Sequence, residues 1–298
     1  MRPVTGWRSG AGLALLLLPL GAAAHGFGRL YNLPVPFWLY GWASAAVLVL
    51  SFLLVAALAR APASARPAAP RDISHLRWVR GLSRLLPLLR GLSLALLLLC
   101  IATGWFGNRD PYRNFSMTFF WVVFLLGFTY LTALLGNFYA ALNPWRVLTD
   151  ALGRIWPGYG QGRLRYREHW GDWPALLLYL AFIWQELFGF GRPLPLAKLL
   201  LAYSAINLAG VWLVGTRAWF AHGEFFSVLL RLVALIAPLH YQRGQAGERG
   251  SLALRRPFAG LLQQRPRHLS TVLFVLALLA TTAFDGLFAT QWWVQLFW

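Results

Sequence analysis

Cysteine is almost missing from this chain. Cys100 is the single one and lies within an apolar run, which excludes a disulfide framework and any thiolate metal site. Acids are scarce as well: nine Asp and Glu stand against 27 Lys and Arg, and Lys itself appears once, as Lys198. Charged residues make up 12% of the 298 positions, where a soluble protein uses about a quarter. No P-loop, GxSxG or HExxH motif occurs, and nothing repeats at solenoid spacing. What is abundant is apolar surface, with 58% hydrophobic residues and sixteen Trp. The net charge of +18 falls in blocks of Arg between apolar runs. That pattern belongs to loops at a membrane surface, and it excludes a nucleic-acid-reading face.

The first residues read as a secretory signal. Arg2 and Arg8 form a basic start, residues 11–20 a short apolar core, and "AAA" at 22–24 an A-x-A cleavage site. The core is too short to cross about 30 Å of hydrocarbon. Cleavage after Ala24 makes His25 the first residue of the mature chain, on the outer side of the membrane. An uncleaved anchor would leave residue 25 on that same side. Residues 1–24 are thus expected to be a signal peptide and 25–298 one polytopic domain.

The expected fold is all-α and integral to the membrane, with six transmembrane helices near 36–59, 88–106, 116–142, 173–190, 196–215 and 269–289. Segments 60–90, 143–172 and 215–268 hold seven, five and eight Arg, against five Lys and Arg on the opposite side. The excess places those three segments in the cytoplasm and both mature termini outside, in a cytoplasmic (inner) membrane. Residues 225–239 are too short to span and carry Arg231 centrally. Glu224, Ser227 and Arg231 line one helical face, so an interfacial or partly buried amphipathic helix on the inner side is expected. In "NPWR", Asn143 suits a helix cap, Pro144 a first turn, and Trp145 with Arg146 the headgroup level. The Pro/Ala-rich run at 60–71 reads as a linker.

Polar groups that hydrocarbon should exclude mark the candidate chemistry. Glu186 lies about 20 Å and Asp285 about 24 Å beyond the inner ends of their helices, in the same outer layer. His25 is tethered within reach of it. These three form the expected metal site, Glu186 and Asp285 being also the catalytic candidates. A thiolate-free set of this kind suits a divalent zinc or copper ion, with the His25 imidazole and free amine able to chelate. The alternative for each acid is an ion pair with Arg109, Arg113, Arg192 or Lys198. Asp110, before Pro111, reads as a turn residue. Tyr203, Asn207 and Gly210 share one face of the fifth span, and Tyr130 and Asn137 one face of the third, both Asn as interhelical hydrogen-bonding groups. Gly136 and Ala140 read as a packing pair. His75, His169, His222, His240 and His268 read as surface residues.

The run "AHGFGRLYNLPVPFWLYGWASAAVLVLSFLLVA" and the segments "GNFYAALNPWRVL", "LLLYLAFIWQELFG", "AINLAGVWLVG", "WFAHGEFFSVLLRL" and "TTAFDGL" together resemble a bacterial membrane-protein family. Some of its members are labelled fenitrothion hydrolase, an organophosphorus triester hydrolase. The resemblance covers most of residues 22–298. It implies an integral membrane protein, P–O ester hydrolysis, and a second membrane subunit as partner, beside the lipid bilayer. Two classes of function stand open. In one, a metal held by His25, Glu186 and Asp285 hydrolyses a small hydrophobic phosphotriester. In the other, the chain is a transporter or a metal-handling assembly subunit without turnover.

Overall fold

Apolar runs of 20 residues or more must satisfy their backbone internally in lipid, and helices do so. The computed structural model describes residues 42, 45–46, 49–50, 52–53, 70–189, 191–242, 251–288 and 296, and these are mostly helical. The expected signal peptide, His25 and most of the first expected span lie outside the described residues. The described positions between 42 and 53 are helical.

Helix α1 runs Arg77–Phe106 and α2 Phe115–Leu135. Asn114 joins them: its amide donates to the carbonyls of Thr103 and Asn108, and its oxygen accepts from the Ser116 N–H at the start of α2. Ten residues of α2, Thr118–Gly127, are π-helical, a wide turn that is rare and concentrates at functional sites. The expected span to residue 142 ends earlier. Gly136 has φ of +100°, a conformation open to glycine, and its missing side chain admits the carbonyl of Leu239. Gly136 is therefore a helix terminator, not half of a packing pair. Asn137 accepts from the Ala140 N–H in the next turn, and Tyr130 is exposed, so neither is an interhelical link.

Helix α3 (Pro144–Ile155) starts as expected, with Asn143 accepting from the Arg146 N–H. Trp145 faces the protein. It is buried and its indole donates to Ser204, at 2.9 Å. Helices α4 (Trp173–Phe188), α5 (Pro193–Val214) and α8 (Leu269–Phe288) match their expected segments. Between the last two come α6 (Thr216–Gly223) and α7 (Phe225–Val233), set at 61° to each other across Glu224. Among the described residues, four helices, α1, α2, α5 and α8, are long and apolar enough to cross a membrane, or five if the bent α6–α7 pair is one span. Helix α4, at 16 residues, rises only about 24 Å.

Of the expectations for residues 225–239, the partly buried helix is the one that fits, over Phe225–Val233. Phe225, Phe226, Val228, Leu229 and Leu230 are buried, and the chain leaves the helix to form a strand from Leu239. The polar stripe meets protein partners: Glu224 and Ser227 bond to Asn143, and Arg231 to the Ala221 carbonyl. The fold is not purely helical. Strands β1 (Arg71–Asp72), β2 (Leu239–Gln242) and β3 (Ser251–Leu254) make an antiparallel sheet in the order β1-β3-β2.

Two contacts orient the bundle. A side chain on Gly104 would meet Pro193 and Ala197, so the end of α1 packs on the start of α5. The two helices are antiparallel. The sheet joins the segment that precedes α1 to the segment after α7, and Leu213 near the end of α5 accepts from the N–H groups of Arg163 and Leu164. Both ends of the α6–α7 pair therefore lie at the same end of the bundle.

Candidate functional site

Three polar clusters sit in this bundle. The deepest surrounds Glu224, whose side chain is fully buried. It caps α7 by accepting from the N–H groups of Phe226 (3.1 Å) and Ser227 (2.7 Å). Its carboxylate also accepts from the Tyr203 hydroxyl, the Asn143 amide at 3.0 Å and, more weakly, the Tyr139 hydroxyl at 3.4 Å. Five donors saturate the acceptor sites of an ionised carboxylate. Among the described residues, no Lys, Arg or His pairs with it within 4 Å. Tyr203 is halfway along α5, so this charge sits at the middle depth of the bundle.

A cavity of about 250 Å³ adjoins that centre. Its wall is aromatic: Phe119, Phe120 and Phe124 from the π-helical turn, then Phe128, Tyr139 and Trp145. Leu92 and Val123 line the cavity too and are both half exposed, so its mouth opens on the outer face of the helices. A smaller cavity of about 80 Å³ is lined by Tyr203 and Phe226 and shares Phe120 and Leu200 with the first. Each phenol that donates to Glu224 thus faces one cavity.

The second cluster is built on Asp172, the buried residue just before α4. It accepts from His222 Nδ1 at 2.8 Å, Thr271 Oγ1 at 2.6 Å and Arg231 Nη2 at 3.3 Å, and its own N–H donates to Ser270. Burial works against its charge, yet the His222 and Thr271 hydrogen bonds and the Arg231 cation hold its carboxyl below the usual aspartate range. His222 is therefore partly exposed, as a surface residue would be, but it is tied to a buried acid. It stacks on Tyr166, whose phenol burial and the Asp172 charge push up to about 12.

The third cluster holds the acids singled out from sequence. Helices α4 and α8 pack together through a 2.7 Å hydrogen bond between Tyr179 and Thr281. Farther along them, Glu186 and Asp285 lie close enough to act on each other electrostatically. Glu186 is partly buried and Asp285 exposed. Neither forms an ion pair within 4 Å with another described residue. Among the described residues, no group of three or more His, Cys, Asp and Glu is placed to hold a metal, and His25 lies outside them. Asp110 takes its turn role, accepting from the Tyr112 N–H. Asn207 takes its bridging one, accepting from the Trp219 indole at 2.8 Å.

Sequence reasoning missed the Glu224 centre. Its signal was available: an acid at helical spacing from Ser227, in a stretch short of a span, with Tyr203 and Asn143 elsewhere in apolar surroundings. No protein-family model, curated protein or solved structure matches the chain.

Proposed function

We propose that this chain is a multi-pass protein of a bacterial cytoplasmic membrane that takes a small hydrophobic solute from the bilayer into the aromatic cavity beside Glu224. The observation that carries this reading is that cavity, wide enough for a single-ring compound and backed by a fully buried carboxylate. An apolar wall with one or two convergent polar groups is the usual build of a small-molecule site. A broken helix with a charge at its break is a recurrent device of membrane proteins that move solutes. Six spans, a cleaved signal peptide and an outer amino terminus complete the reading, supported by the Arg distribution and by five helices consistent with the expected segments.

The test is binding of a neutral aromatic, isobutylbenzene, to the purified protein in lipid nanodiscs, with empty nanodiscs as the reference. Cys100 lines the cavity and is the sole thiol. Bound solute should slow its alkylation by a membrane-permeant maleimide, and Cys100→Phe should fill the space and abolish binding. Alkylation unchanged by saturating solute would reject the cavity as the site.

A second reading keeps the hydrolase suggested by the family resemblance. It is favoured by the nearness of Glu186 to Asp285 on adjoining helices. Two carboxylates and the amino-terminal His25 would hold a zinc or copper ion that polarises a phosphoryl oxygen and activates water. An aryl phosphotriester cleaved by the metal-loaded protein, and not by Glu186→Gln or His25→Ala, would establish it. A second membrane subunit, also implied by the resemblance, would be recovered by mild-detergent purification from the native membrane.

A further inference from the structure

The cavity reading leaves open what kind of solute would use a buried charge, and the geometry points to a lipophilic amine bound in its protonated form. This inference rests on the cavity being the solute site and names its ligand class. Glu224 is a fully buried carboxylate at the middle of the bundle, with five hydrogen-bond donors and, among the described residues, no cation within 4 Å. Neutral donors orient a charge, but they do not cancel it. In a low-dielectric interior an unbalanced anion attracts a cation over many ångströms.

The wall between that anion and the cavity suits such a cation. Tyr139 lines the cavity and directs its O–H to Glu224. Its phenolic oxygen has a second acceptor site, which a small movement of the ring would bring to an ammonium N–H held in the otherwise apolar cavity. The proton donors then run in one direction, from ammonium to phenol to carboxylate. Phe124 and Phe128 flank Tyr139, with ring centroids 6.1 and 6.2 Å from its own. Faces of aromatic rings attract a cation, most strongly where water is excluded. The remaining wall is apolar and accepts the hydrocarbon part. A neutral hydrocarbon would use only the wall, and an anion would be repelled by Glu224.

The experiment compares N,N-dimethylbenzylamine, protonated at neutral pH, with isobutylbenzene, which has the same shape with carbon in place of nitrogen. Binding is measured to the full chain in nanodiscs and corrected for partition into empty nanodiscs. The wild-type protein should prefer the amine by about tenfold or more. Tyr139→Phe keeps the ring and removes the relay, and it should bring the ratio of amine to isobutylbenzene affinity close to unity. Glu224→Gln should do the same where it folds, and Tyr139→Phe carries the test where it does not. Equal wild-type affinity for the two compounds would overturn the inference, leaving Glu224 as the cap of α7 alone. Failure of isobutylbenzene to bind would instead bring down the cavity reading on which the inference stands.

Discussion

Asp172 shows how much one side chain organises here. It ties α6 through His222, α7 through Arg231 and α8 through Thr271 to the start of α4. Its side chain is almost wholly buried while His222 and Arg231 are about one-third exposed, so water screens the partners and the buried acid bears the loss. Asp172→Asn keeps the size but forfeits the charge-assisted bonds. We expect it to lower unfolding stability by about 1–3 kcal/mol, read from thermal unfolding in detergent. The pH dependence has a defined sign. The folded carboxyl lies below the ordinary value of 3.8, so its stabilisation is complete above that value and fades as pH falls through the folded one. The gap between wild type and Asp172→Asn should narrow below pH 4. A gap unchanged from pH 7 to pH 3 would show that Asp172 acts through shape alone. The sequence places Asp172 beside an Arg-rich segment with nothing to distinguish it from a solvated loop acid, because its partners come from positions 50 to 99 residues away.

At the scale of elements, the helices were legible and their breaks were not. Long apolar runs specify a helix in lipid whatever it packs against, which is why α4, α5 and α8 fall within a few residues of expectation, while α1 ends where expected but starts eleven residues earlier. The end of α2 depends on the conformation of Gly136 and the nearby Leu239 carbonyl, a contact across more than 100 residues. The α6–α7 break depends likewise on partners for Glu224 brought from α5 and from the residues before α3. Charge counting also hid a structural role: buried Arg255 donates to the carbonyls of Ala234 and Ala237 just beyond α7, a cation at a helix carboxyl end. The close approach of α6 to α5 gives a test. Gly210 faces the Trp219 indole, and a side-chain carbon there would lie 2.3 Å from the ring. Gly210→Ala must therefore displace Trp219 and strain its bond to Asn207. We expect a loss of about 1–3 kcal/mol and a shifted tryptophan emission. A variant as stable as wild type would mean that α6 is free to move away from α5.

For the whole molecule, the question is how many times the chain crosses. Reading α1 as ascending, α2 descends, α4 ascends and α5 descends, since the end of α1 meets the start of α5 and Asn114 joins α1 to α2. The α6–α7 pair then starts at the end of α5 and finishes at the sheet that also holds β1, which precedes α1. It enters and leaves at one end, with Glu224 at its innermost point. This return was invisible in hydropathy, where residues 225–239 are simply too short to cross. The expected side of each loop is compatible with it, because a re-entrant pair changes no crossing number. Reporter fusions after residues 70, 160 and 245 should therefore behave as cytoplasmic, and fusions after 110 and 193 as exported. The fusion at 245 decides between the two geometries of the broken helix. An exported reporter there would make α6 and α7 one bent span, place the six Arg from 243 to 267 outside, and remove the returning geometry that sets Glu224 at the centre of the bundle.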